Sequence, residues 1–207
     1  DLQGNGGGYL GAALFLAEQF LSKDELILFT EGGKMKRGEV TASGMGFFQN
    51  TPVVVIIDER SASASEIVAG AIQDWDRGVI VGRRSFGKGL VQQSFPLNDG
   101  SELRLTVARY HTPSGRLIQS PYEMGEKESY YRKILERYER GESFSRDSVR
   151  IPDSLAYRTL RQNRLVYGGG GIMPDVFVPA DTTYYSDFYI QLSRRGIISA
   201  FINRYLD

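Results

Sequence analysis

The run Pro52-Val53-Val54-Val55-Ile56-Ile57-Asp58 constrains the fold more than any other stretch of the chain. It is β-branched and free of polar residues up to Asp58, which predicts a strand covered on both faces, as in a parallel sheet. Helical spacing follows at once over Ser63–Trp75, with Ile67, Ala71 and Trp75 along one face, and a further short strand is expected at Val79–Val81. Strands alternating with helices place the chain in the α/β class. At 207 residues and 41% apolar composition it has material for a sizeable core.

The flanking sequence supplies the remaining elements. Tyr9–Leu21 repeats Leu10, Leu14, Ala17 and Leu21 at helical spacing. Glu25–Thr30 reads as a strand and Lys34–Asn50 as a loop or hairpin. Leu90–Phe95 and Glu102–His111 read as an antiparallel pair around the turn Asn98-Asp99-Gly100. After Pro121 the composition turns polar and charged, with a charged helix predicted over Glu126–Arg140. A strand at Ile172–Val178 and one helix over Asp187–Tyr205 are expected to finish the chain. Residues 1–121 and 167–207 thus form one core, and 122–166 an insertion within it.

Composition narrows the chemistry. The 25 basic and 25 acidic residues balance, so the basic excess of a nucleic-acid binder is missing. With no Cys, thiol nucleophiles, disulfides and thiolate metal sites are excluded; with His111 alone, a two-His metal centre is close to excluded as well. No metal or cofactor is implied. No apolar run approaches the roughly 20 residues of a membrane span.

Two short segments carry candidate chemistry. Ser63 followed by Glu66 is a capping box at the start of the predicted helix. A serine there lies beside free backbone N–H groups, which together with the helix dipole favour an oxyanion. The same spacing also fits a plain helix cap. Lys88 stands between Gly87 and Gly89 just before a strand, 25 positions after Ser63. Desolvation disfavours a buried ammonium, so a lysine in that setting can serve as a general base, whereas a solvated loop lysine cannot. The segment fails as a phosphate loop, because Gly89 follows Lys88 where Ser or Thr is required. On a strand Lys88, Leu90 and Gln92 share a face, so Gln92 can reach the lysine amine. The Gly-rich Gly4–Gly8 lets backbone approach a substrate closely or simply starts the first helix.

Taken in order, these segments resemble the C-terminal processing peptidases, also called tail-specific proteases. Asp1–Gly8 is similar to that family's D-L-R-x-N-x-G-G, Ser61–Asp74 to its S-A-S-A-S-E-I-x-A-G-A-x-Q-D, and Phe86–Gln92 to its F-G-K-G-x-V-Q. Leu105–Tyr110, Thr112–Arg116 and Gly171–Val176 follow in family order. The resemblance implies a ClpP/crotonase-like core of ββα units and a serine endopeptidase with Ser63 as nucleophile, Lys88 as general base and Gln92 orienting it. It implies an oxyanion hole from the N–H of Ala64 with Gly6 or Gly7, protein or peptide substrates, a possible homo-oligomer, and a bacterial cell envelope or periplasmic location. A catalytically silent peptide-binding module and acyl-CoA chemistry on the same core are the alternatives. The chain departs from the pattern in three ways. Gln3 replaces the usual Arg, the insertion is long, and the family's PDZ domain is absent from these residues, so the chain is expected to be part of a longer protein with that domain upstream.

Overall fold

The computed structural model describes residues 1–32, 36–121, 132, 135–181 and 186–206. Its central unit is β3 (Val54–Ile57), α2 (Ala64–Asp74) and β4 (Val79–Gly82), with β3 and β4 paired in parallel and β9 (Val176–Phe177) parallel on the far side of β4. A second sheet runs β2-β1-β6-β5, built from β1 (Leu26–Glu31), β2 (Gly38–Thr41), β5 (Leu90–Pro96) and β6 (Glu102–His111), with every pairing antiparallel. The mixed α/β class is as expected from the sequence.

Helix α2 is the centre of the core. Every residue from Ser65 to Asp74 is buried, because α1 (Leu10–Glu18), β1 and β4 all pack on it. Small residues make that possible. A Cβ on Gly70 would lie 2.7 Å from Thr112 Cγ2 and 3.2 Å from Ile172 Cδ1, so only glycine lets the neighbouring layers close on the helix here. The polar residues carried into this core, Glu66, Gln73 and Asp74, all have partners, as burial requires.

Three expectations need correction. Strand β3 is an edge strand in the order β3-β4-β9, and Val54 is 59% exposed, so the β-branched run is not covered on both faces. Covering is partial because only the opening segment crosses that edge, with Leu2 N–H donating to Ile56 O at 2.9 Å. The strand expected at Ile172–Val178 shortens to β9, because the backbone before it is used otherwise: Ile172 N–H and O bond Ser85, and Asp175 N–H bonds Ile80 O. The single final helix is two, α3 (Asp187–Arg194) and α4 (Ile197–Leu206), broken at Gly196 with φ of 65°, a left-handed turn that ends a helix.

The expected charged helix lies largely outside the described residues; 135–139 are helical. The insertion also holds a hairpin, β7 (Ala156–Arg158) with β8 (Leu165–Tyr167), that periodicity did not reveal in segments three residues long. No helix of the described residues is long and apolar enough to cross a membrane. His111 stacks on Phe29 at 4.6 Å and its Nδ1 lies 3.1 Å from Gly115 O, a packing position away from the cleft described next.

Candidate active site

The turn from β3 into α2 is fixed by Asp58. Its Oδ1 accepts from the N–H groups of Gly4 at 2.9 Å, Arg60 at 3.0 Å and Ser61 at 3.0 Å. Burial alone would raise the Asp58 carboxyl, but those N–H groups, the Ser61 hydroxyl and the charge of Arg60 outweigh it and hold the group below its ordinary value. The turn delivers Ser63 with φ 56° and ψ −114°, a strained conformation for a residue with a side chain. Such strain persists only where the surroundings over-determine it. Here Ser63 N–H donates to Glu66 Oε2 at 2.8 Å, the carboxylate half of the expected capping box.

Glu66 does more than cap. Its Oε2 also accepts from Lys88 N–H at 2.8 Å, and its Oε1 accepts from Gly87 N–H at 2.7 Å and from the Ser85 hydroxyl at 2.5 Å. One wholly buried carboxylate therefore ties the serine turn to the lysine loop. Burial pushes its carboxyl up despite these donors. A second tie comes from Tyr110 on β6, whose single hydroxyl proton is shared between Lys88 O at 2.8 Å and Ser63 O at 3.1 Å. The sequence offered Glu66 only as a capping partner and Tyr110 only as part of a block; no local spacing signals a bridge across 22 or 47 positions.

Ser63, Ala64, Lys88, Gln92, Gly6 and Gly7 all line one open cleft of about 580 Å³. Tyr9, Leu10, Ile67, Leu90 and Val91 give it apolar walls, and Arg104 reaches it from β6. Among the described residues its lining includes no carboxylate. Lys88 is half-buried and Gln92 exposed. Among the described residues no hydrogen bond joins the Ser63 hydroxyl to the Lys88 amine, or that amine to Gln92; the main chains are fastened together while the side chains share the cleft.

The N–H of Ala64 is the first of α2 and has no backbone acceptor among the described residues, leaving it available at the positive end of the helix. Gly7 packs directly beneath the turn: a Cβ there would lie 2.7 Å from Ala62 O and 2.8 Å from Ala64 N, at a φ of 94°. Glycine is required on both counts. Its own N–H is engaged by Asn5 Oδ1 at 2.9 Å, whereas Gly6 has open space around it. The opening segment is held against the turn by Ala62 N–H and the Ser65 hydroxyl, both donating to Asn5 O.

The sequence pattern of peptidase family S41 matches residues 1–123. Over 127 residues the chain is 45% identical to a carboxy-terminal-processing protease of Bartonella bacilliformis, covering 58% of this chain and 27% of that protein. It is 42% identical over 115 residues to the chloroplastic C-terminal processing peptidase of Tetradesmus obliquus, covering 56% and 25%. Among solved structures it resembles the photosystem II D1 C-terminal processing protease at a TM-score of 0.58 and 28% identity, over 86% of this chain and 33% of that one. The chain spans about a quarter of the length of these two curated relatives. With the family pattern running from the Gly-rich opening through the serine turn, the lysine loop and β6, the chain belongs to peptidase family S41.

Proposed function

We propose that this chain is the catalytic core of a serine endopeptidase that works through a Ser63–Lys88 dyad on C-terminal or tail-exposed segments of protein substrates. The observation that carries the reading is the double tie between the two residues, through Glu66 to their N–H groups and through Tyr110 to their carbonyls, at the wall of one cleft. The names of the relatives, carboxy-terminal processing proteases, support a tail-directed substrate; a place of action in the bacterial cell envelope or periplasm belongs to the same proposal.

In this mechanism neutral Lys88 accepts the Ser63 proton as the hydroxyl oxygen attacks a peptide carbonyl. The tetrahedral oxyanion is held by Ala64 N–H and a second N–H from the Gly-rich opening, Gly6 being open and Gly7 needing release from Asn5. The lysine ammonium gives the proton to the leaving amine, and the same amine then activates water to hydrolyse the acyl-enzyme. A side-chain rotation brings amine and hydroxyl into contact when substrate fills the cleft, and Gln92 steadies the amine from the same face.

The test uses the intact native protein with fluorescein-labelled casein and a fluorophosphonate probe. Ser63→Ala and Lys88→Ala are each expected to abolish cleavage, and Ser63→Ala to abolish labelling. Full activity in either variant overturns the dyad. Casein binding without cleavage or labelling in the unaltered protein favours the silent peptide-binding module instead.

A further inference from the structure

The insertion reaches back to the lysine loop through Arg137 and Glu142. Arg137, in the helical stretch 135–139, donates from Nη2 to Arg84 O at 3.2 Å and Ser85 O at 3.0 Å, and from Nη1 to Phe86 O at 3.2 Å. Its Nε donates to Glu142 at 2.9 Å. Glu142 is 4% exposed and also pairs with Arg84 at 3.4 Å and Arg140 at 3.3 Å. Arg84 in turn donates from Nε to Gly170 O at 2.7 Å. Burial, together with the charge of Arg137, lowers the Arg84 guanidinium to about 10 in spite of Glu142. A cluster so rich in cations around one carboxylate is held by geometry as much as by charge.

The loop from Arg84 to Lys88 is therefore gripped from two sides. Its N–H groups belong to the core: Ser85 to Ile172 O, Phe86 to Ser61 O, and Gly87 and Lys88 to Glu66. Its carbonyls at 84, 85 and 86 belong to the insertion, through Arg137. Only a planar guanidinium offers donors spread widely enough to serve three successive carbonyls and a carboxylate at once. A lysine ammonium is a point charge on a shorter stem and reproduces part of this set.

We infer that Arg137 is a positioning residue for Lys88, so that docking of the insertion on the core sets the catalytic reach of the lysine. The inference rests on the dyad reading. Freed on its carbonyl side, the loop lets Lys88 drift from Ser63, and misplacement by about 1 Å costs on the order of 10²-fold in turnover. Substrate contacts along the cleft are untouched, because Arg137 is not among its lining residues.

The experiment compares the intact native protein with Arg137→Met, Arg137→Lys, Lys88→Ala and Arg158→Ala, the last altering an insertion side chain that, among the described residues, bonds Asn163 O within the β7–β8 hairpin. Labelled casein gives kcat and KM, a fluorophosphonate gives the acylation rate of Ser63, and thermal unfolding reports the fold. Arg137→Met is expected to lower kcat and labelling together by about 10- to 100-fold with KM within about twofold, as for any loss of catalytic alignment. Arg137→Lys recovers part of the loss, and Arg158→Ala behaves as the native protein. Arg137→Lys carries the same expectation at smaller size should the Met variant not fold. Native kcat and labelling in the Arg137 variants, with Lys88→Ala silent, overturn the inference and leave the dyad standing. An equal loss in Arg158→Ala overturns it as well, since the effect is then one of general stability. An active Lys88→Ala overturns the dyad, and the inference with it.

Discussion

Glu66 is 1% exposed and yet faces four donors, the N–H groups of Ser63, Gly87 and Lys88 and the Ser85 hydroxyl. Burial disfavours its charge strongly enough to raise its carboxyl above the ordinary value even so. A carboxyl raised on folding stabilises the native state most below its unfolded value, and that contribution is lost as pH rises through the native value. Glu66→Gln keeps the volume but turns an NH₂ group towards donors, leaving about two of them without an acceptor. The protonated acid of the native protein already turns one O–H towards these donors, so at low pH the variant should be less stable by about the cost of one further unsatisfied buried group, roughly 1–3 kcal/mol. Urea unfolding at a series of pH values should show the gap narrowing as pH increases. A gap that widens with pH would mean that the ionised carboxylate, and not the acid, is the form the fold favours.

At the scale of the element, the strand-to-helix turn shows the opposite sign. Asp58 is held below its ordinary value by the N–H groups around it, burial notwithstanding. Its contribution is therefore complete above the unfolded value and lost as pH falls through the lowered native one. Asp58→Asn should cost about 2 kcal/mol at neutral pH, the worth of a charge-assisted hydrogen bond or two, and progressively less as pH falls through the native value. Equal unfolding midpoints for the two proteins at pH 7 would remove Asp58 as the anchor of the turn. This turn is also where the sequence was most legible. Ser63 and Glu66 sit three apart, and Lys88 lies between two glycines, so local spacing made Ser63 and Lys88 candidates, and the family resemblance gave them their roles; the structure brings both to one cleft. What spacing could not supply was pairing over distance. Nothing local to Val54 says that its strand ends the sheet, and nothing near Arg137 points to carbonyls more than 50 positions away. The break of the last helix was in principle visible, since Gly196 follows Arg194-Arg195, but the apolar spacing on either side of it bridges the gap.

For the molecule as a whole, the far end of α2 joins what the near end exposes. Asp74 and Arg116 are wholly buried and bonded to each other. Asp74 Oδ2 accepts from Ser114 N–H at 2.9 Å and its carbonyl from Leu160 N–H at 2.7 Å, while Arg116 donates to Tyr167 O at 2.9 Å and Gln73 Oε1 at 3.0 Å. Helix, the turn after β6 and the return of the insertion thus meet on one ion pair, and Arg116 Nε has no hydrogen-bond partner among the described residues. Removing one partner of such a pair strands a buried charge, so Asp74→Ala should cost about 3–5 kcal/mol. Replacing both with apolar side chains removes the stranded charge, so Asp74→Ala with Arg116→Met should recover most of that loss in urea unfolding. Ser63 lies about 16 Å away along the helix, and none of these bonds touches the cleft. The double variant should accordingly regain fluorophosphonate labelling of Ser63 along with its fold. If the two losses simply add, the pair is two independent contacts. If stability returns without labelling, Asp74 acts on the serine through the helix and not merely as its far anchor.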